Sequence, residues 1–118
     1  MPGRLRRREQ DALRRAGEDV EFQRRFATHI ARLYPGCPAQ RAQAIASHAG
    51  VRGSGRVGRS AAGRALDEQA ITLAVRASIR HEDTGYDDLL MSGVSRDEAR
   101  ARTRPVIDRI LAAWAKQG

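Results

Sequence analysis

Cysteine is almost absent from this sequence, because Cys37 stands alone among 118 residues. One thiol cannot form an intramolecular disulfide, so the fold must depend on a packed core, and a reducing cytoplasm is the expected location. Long apolar runs are also missing, and none approaches the roughly 20 residues that a membrane-spanning helix needs. Residues 1–10 are basic but lack the apolar stretch of a secretory signal. We therefore expect a cytoplasmic protein without a membrane partner.

Aromatic residues are scarce, with two phenylalanines, two tyrosines and one tryptophan. They are not interleaved with basic residues, so the sequence does not indicate a platform on which single-stranded bases stack. Phe22, Phe26 and Trp114 lie on apolar stripes and are expected in the core. Tyr34 is the one aromatic residue expected to be exposed in the basic half of the chain.

Acidic residues are missing from the whole segment 22–66, although the chain carries 14 of them. The net charge of +8 arises entirely in residues 1–59, which hold 13 basic and 5 acidic side chains, whereas residues 60–118 hold 9 of each. All basic residues except Lys116 are arginines, which a GC-rich genome would favour. Such a genome would not segregate the charge, and segregated basic charge is typical of a protein that binds a polyanion.

Apolar residues recur at helical spacing, as Phe22, Phe26 and Ile30 illustrate, and no segment alternates like a strand. We predict an all-α fold, a compact bundle of about four to five helices. A basic arm over residues 1–17 should precede a single helical domain over residues 18–118. Helices are expected near 19–33, 38–49, 60–80 and 95–115, with a short one after Thr84.

Local signals set the expected helix ends. Gly17 should end the arm, Asp19 should cap the next helix, and Gly50 should follow the end of the second. The segment 60–80 is apolar nearly all round, which predicts the central and most buried helix. Capping boxes are expected at Thr84, before the short helix, and at Ser95, before the last one. Pro105 should kink or split the last helix.

Three segments carry a resemblance to a known family: "HIARLYPGCP", residues 54–100, and "RPVIDRILAAW" near the C-terminus. The most specific part is the run from Ile79 to Arg100. Over residues 26–115 the sequence resembles the family catalogued as domain of unknown function 2293, whose members are small basic proteins or modules, many from GC-rich bacteria. The resemblance implies a compact helical unit after the basic arm. It implies no catalytic residue and no partner.

The stretch "GSGRVGRS", residues 53–60, nearly matches the phosphate-binding P-loop, but Arg59 replaces the lysine. No strand is expected before it, and no later apolar strand ends in a magnesium-binding aspartate, so we predict no nucleotide hydrolysis. Glycines that expose backbone N–H groups, neighbouring arginines and a following helix N-terminus would still favour an anion such as phosphate. The alternative is a solvated linker between two helices.

Other groups with chemical potential favour structural interpretations. The histidines and Cys37 are each at least 8 residues apart, without the close pairs typical of zinc sites. Cys37 lies in "PGCP", which reads as a tight turn. The acidic corner, Glu82 to Asp88, could bind a metal ion or contact the basic surface of another copy of the chain, giving a homo-oligomer. We expect no metal, no cofactor and no catalytic residue.

These observations favour a nucleic-acid-binding protein that contacts phosphates of DNA or RNA. A helix-turn-helix formed by 38–50 and 60–80 is one form it could take. The alternative is an adaptor that docks its basic half on an acidic protein, and a weaker one is an enzyme acting on a phosphorylated substrate. The expected nucleic-acid contacts are Arg6, Arg7, Arg8, Arg24, Arg25, Arg32, Arg41, Arg52, Arg56, Arg59, Ser60 and Arg64.

Overall fold

A computed structural model of the chain describes residues 2–52 and 67–116, with side chains for residues 6–49 and 67–116. The described residues form five α-helices and no strand, so the predicted all-α fold is confirmed. The helices are α1 (Pro2–Leu33), α2 (Ala39–Arg52), α3 (Glu68–Asp83), α4 (Tyr86–Met91) and α5 (Arg96–Ala115).

Helix α1 is a single helix of 32 residues. The predicted end at Gly17 is wrong: the helix continues through Gly17 and Asp19, so the basic arm is its first half. A helical glycine costs only about 1 kcal/mol relative to alanine, and the flanking residues are good helix formers. Leu13 in the arm and Val20 just after it are largely exposed, and the buried part of α1 begins at Phe22.

The core lies where α1, α2, α3 and α5 meet. Helix α3 supplies the most deeply buried row, in which Ile71, Val75 and Ile79 are fully inaccessible. Their spacing of four residues places them on one face of the helix. The other helices contribute Phe22, Phe26, Ile30, Ala42, Ile45, Ala46 and Ile107, with Trp114 partly buried beside them.

Two helix ends differ from the predictions. Helix α3 begins at Glu68 and not at residue 60, because Asp67 has extended backbone angles and caps the helix by accepting a hydrogen bond from the Gln69 N–H at 3.1 Å. Helix α2 continues to Arg52, through Gly50, where a stop was expected. Helix α3 is not buried on every side, because Leu73 is 58% exposed.

The C-terminal helices follow their capping signals in part. Ser95 caps α5 by accepting a hydrogen bond from the Glu98 N–H at 3.2 Å, as predicted. Gly93 has a φ of +95°, which suits the end of α4. The capping box predicted at Thr84 is not formed, because Gly85 occupies the cap position of α4. Pro105 lies inside α5 without splitting it.

The turn between α1 and α2 is anchored to the end of α5. The Gly36 N–H donates a hydrogen bond to the Trp114 carbonyl at 2.7 Å. Cys37 is buried in this turn, and burial raises the pKa of its thiol despite the nearby Arg41. Tyr34 is half-buried, contrary to expectation, and its hydroxyl contacts Thr72 Oγ1 at 3.1 Å. No helix within the described ranges is long and apolar enough to cross a membrane.

Candidate nucleic-acid interface

Four exposed arginines lie along one side of α1: Arg7, Arg14, Arg25 and Arg32. Their separations of 7, 11 and 7 residues are close to two, three and two turns of an α-helix, so the side chains share one direction. At a rise of 1.5 Å per residue, the row is about 38 Å long. We call these four residues the α1 arginine row.

The α1 arginine row is only loosely paired with carboxylates. Arg14 is 3.6 Å from Asp11, and Arg25 and Arg32 are each 3.9 Å from a glutamate oxygen. These side chains are more than half exposed, so such pairs contribute about 0–1 kcal/mol. The guanidinium groups can therefore exchange their carboxylates for phosphates at little cost.

Arg24 differs from this row, because Glu21 binds one edge of its guanidinium group with both carboxylate oxygens. Its Nε and Nη2 donate to the two carboxylate oxygens at 3.0 and 2.6 Å. The bond from Arg24 lowers the pKa of Glu21 and raises the pKa of Arg24. Arg6 and Arg8 are exposed but lie on other sides of α1.

Arg14 was not among the contacts predicted from the sequence, and its carboxylate neighbours are Asp11 and Glu18. The signal that identifies it is the helical spacing between Arg7 and Arg25. That spacing has meaning only if α1 passes through Gly17 without a break.

Arg41 was predicted to contact nucleic acid, but the structure gives it a role inside the fold. Its side chain is only 21% exposed and pairs with Asp83. Its Nε also donates to Ser78 Oγ at 3.0 Å, and its guanidinium lies 5.4 Å from the ring centre of Trp114. With its donors directed to α3, Arg41 is not available to a phosphate in this arrangement.

The Gly/Arg segment lies outside the described residues, including the predicted contacts Arg56, Arg59, Ser60 and Arg64, as does the side chain of Arg52. The residues before Gly53 form helix α2, not the strand that feeds a P-loop. Because Asp67 and Glu68 occupy the first turn of α3, the N-terminus of that helix carries its own negative charge. The anion site expected where the Gly/Arg segment meets a helix at residue 60 lies outside the described residues.

The carboxylates of the acidic corner are partly used inside the chain. Asp83 binds Arg41, and Asp87 Oδ1 is 2.8 Å from His81 Nδ1. Glu82 and Asp88 remain exposed. Among the described side chains, no group of three His, Cys, Asp or Glu could hold a metal ion.

The run from Ile79 to Arg100 forms a corner where α3, α4 and α5 meet. The Arg80 guanidinium lies 5.6 Å from the ring centre of Tyr86, and the ring of His81 packs edge-on against the same tyrosine. The Thr84 hydroxyl donates to the Arg80 carbonyl and accepts from the Tyr86 N–H. These contacts connect Arg80, His81, Thr84 and Tyr86 within the corner.

Helical architecture and a surplus of exposed arginine define a small basic all-helical protein. Residues 29–115 match the family described as "Uncharacterized conserved protein (DUF2293)". The chain belongs to this family, and the predicted resemblance is confirmed. No curated protein and no solved structure matches the chain. The match includes α2 to α5 and the segment 53–66, whereas most of the α1 arginine row precedes it.

Proposed function

We propose that this protein binds nucleic acid through the phosphate backbone, with the α1 arginine row as the described part of the contact surface. The row is the observation that carries the proposal. Four exposed guanidinium groups extend over about 38 Å. Arg14, Arg25 and Arg32 form weak ion pairs, and Arg32 Nη2 also lies 3.1 Å from His29 Nδ1. Guanidinium groups bind phosphate oxygens in a bidentate manner.

The surroundings of the row support the same function. The segment 22–66, which follows the arm, contains eight arginines and no acid, and it includes the glycines of "GSGRVGRS". Backbone contacts position a protein without reading its sequence, so DNA and RNA are both candidates. We propose no catalytic activity and a cytoplasmic location, in keeping with the lone buried thiol of Cys37. Any contact between copies would use Glu82 and Asp88.

The test compares two variants that each remove four positive charges. The first replaces the α1 arginine row with glutamine at Arg7, Arg14, Arg25 and Arg32. The matched control replaces four exposed arginines of α5 with glutamine. These are Arg96, Arg102, Arg104 and Arg109.

Affinity for duplex DNA and for hairpin RNA is measured by fluorescence anisotropy over a series of salt concentrations. If each arginine of the row loses one phosphate contact, the slope of log K against log salt on DNA should fall by about four times 0.9. The α5 control variant should lower this slope much less. Equal losses in both variants would show that net charge alone drives binding. Equal affinity of the wild-type protein for polyglutamate and for nucleic acid would favour the adaptor function.

A further inference from the structure

The part of α1 that precedes Phe22 is largely exposed. Every described side chain between residues 6 and 21 is exposed or half-buried. Leu13 is 73% exposed and Val20 is 65% exposed. Most helical stability in proteins comes from packing an apolar face, and a helix of this length without such packing is only marginally stable in water. This part of α1 therefore favours a partner.

The exposed apolar residues of this part share one face of the helix. Leu13, Ala16 and Val20 follow the i, i+3, i+7 spacing with which an amphipathic helix enters a groove on a partner. We call these three residues the α1 apolar stripe. It lies roughly 140° around the helix from the α1 arginine row. A partner bound to the stripe thus leaves the row exposed.

A groove of about 630 Å³ lies between α2 and α3. Ala44, Ile45 and Ala49 line it from α2, and Ala74 and Ala77 line it from α3. The alanine side chains are short, so the groove has room for the larger apolar side chains of another helix. Among the described residues that line it, none belongs to α1. The stripe of the same chain therefore does not fill this groove.

The rim of the α2/α3 groove carries an exposed carboxylate at one end. Arg41 also lines the groove, but Asp83 compensates its charge. Glu82 lines the groove as well, and its side chain is exposed. A basic side chain on the docking helix would complement Glu82.

The α1 helix carries such a side chain at a matching distance from its stripe. Arg6 is exposed and lies seven residues before Leu13, which is about 10 Å along α1. Glu82 lies eight residues after Ala74, which is about 12 Å along α3. With Leu13 against Ala74 and the two helices antiparallel, Arg6 reaches Glu82.

We propose that the α1 apolar stripe of one copy of the chain docks in the α2/α3 groove of a second copy, with Arg6 beside the partner's Glu82. Each copy has one stripe and one groove, so reciprocal docking closes a dimer. Both α1 arginine rows stay exposed in this dimer. The inference goes beyond the proposed function and does not depend on it, because no contact involves nucleic acid.

The first experiment measures the dimer dissociation constant by sedimentation equilibrium without nucleic acid. The wild-type protein should dimerise reversibly. The stripe variant, Leu13→Gln with Val20→Gln, should weaken the dimer about tenfold or more, because two apolar side chains lose their burial. Met91→Gln is the control, since Met91 lies on α4 and is 86% exposed, and it should leave the dissociation constant unchanged.

The second experiment blocks the groove. Ala44→Arg should fill it and weaken the dimer by a similar factor, and the fold should tolerate this change because Ala44 is exposed. Gln43→Arg adds the same charge at an exposed position of α2 that does not line the groove, and it should dimerise like the wild-type protein. A mixture of the stripe variant with Ala44→Arg should recover heterodimers, since one intact stripe then meets one intact groove.

A charge swap tests the direction of docking. Arg6→Glu and Glu82→Arg should each weaken the dimer about fivefold, as expected for an exposed ion pair. A chain that carries both changes should regain the wild-type dissociation constant, because the pair is then restored with its signs exchanged. Melting temperatures of all variants are compared first, so that a loss of folding is not counted as a loss of association.

Three results would overturn the proposal. The first is a wild-type protein that stays monomeric at millimolar concentration. The second is equal dimerisation of Ala44→Arg and Gln43→Arg, which would show that the exposed part of α1 pairs with its copy and not with the groove. The third is a chain with both charge changes that dimerises no better than either single variant.

Discussion

Arg41 connects three helices through one guanidinium group, since it extends from α2 to Ser78 and Asp83 at the end of α3 and to Trp114 of α5. A side chain used in this way has little freedom to bind a ligand. Its position in an acid-free segment of the sequence conceals this role, because its carboxylate partner is 42 residues away.

Replacing Arg41 with alanine should therefore reduce stability and leave nucleic-acid binding nearly intact. We expect a loss of about 1–3 kcal/mol in the free energy of unfolding, because Asp83 and Ser78 lose their partner in a half-buried site. Urea unfolding measures the loss of stability, and the salt slope on duplex DNA measures whether binding is unchanged. A normal stability together with a lower salt slope would show that Arg41 contacts phosphate after all.

Gly36 is required where it stands because the backbone of α5 passes directly beside it. A Cβ atom at this position would lie 3.0 Å from the Trp114 Cα and 3.1 Å from the Ala113 carbonyl oxygen. These are backbone atoms that cannot rotate away.

Gly36→Ala should destabilise the protein by about 1–3 kcal/mol, because the turn must separate from α5. Gly85→Ala is the control, since a Cβ there meets nothing within 4 Å, and it should stay within about 0.5 kcal/mol of the wild-type protein. Thermal unfolding measures both. Similar melting temperatures for the two variants would contradict the close approach of the turn to α5.

At the scale of the element, the continuity of α1 decides how the basic arm presents its charge. A helix that ended at Gly17 would let the two halves of the α1 arginine row turn independently. An unbroken helix keeps Arg7 and Arg14 in line with Arg25 and Arg32, which suits a regular polyanion.

Gly17→Ala tests this continuity. Nothing lies within 4 Å of the added Cβ atom, and alanine favours a helix over glycine by about 1 kcal/mol. The variant should show equal or greater helicity in far-ultraviolet circular dichroism, and slower amide exchange in the arm. If Gly17 instead ended a helix with a positive φ, alanine would lower the helicity of the arm.

At the scale of the whole molecule, the proposed phosphate contacts come from parts of the chain that are distant in sequence. The segment 53–64 follows α2 in the sequence and lies outside the described residues. It contains three of the arginines predicted to contact phosphate. Arg52, at the end of α2, adds a fourth. These four form a set that can be removed separately from the α1 arginine row.

Replacing Arg52, Arg56, Arg59 and Arg64 with alanine should lower the salt slope on duplex DNA by about four times 0.9 if each contacts one phosphate. Combined with the α1 variant, the two reductions should add, since distant sites act independently. The α5 variant described above is again the control for charge, and all variants are first compared in melting temperature. A segment variant that binds like the α5 control would leave "GSGRVGRS" as a solvated linker.

The helical class, the core face of α1 and the cap of α5 follow from sequence because they depend on residues a few positions apart. Phe22, Phe26 and Ile30 share a face by spacing alone, and Ser95 meets the Glu98 N–H within one turn. The family resemblance could also be recognised from the sequence, because a family is defined by the order of residues along the chain.

The helix ends at Gly17 and Gly50 were mispredicted because glycine tolerates several conformations and the surrounding residues decide among them. The start at residue 60 was mispredicted because Asp67 caps α3 instead. The candidate site depended still more on the fold. Whether an arginine is free or engaged is set by what lies across from it: Arg41 meets Asp83, and Arg80 meets Tyr86. Sequence determines how many guanidinium groups there are and on which helix each lies. Only the packing of the helices decides which guanidinium groups are engaged inside the fold and which remain exposed to solvent.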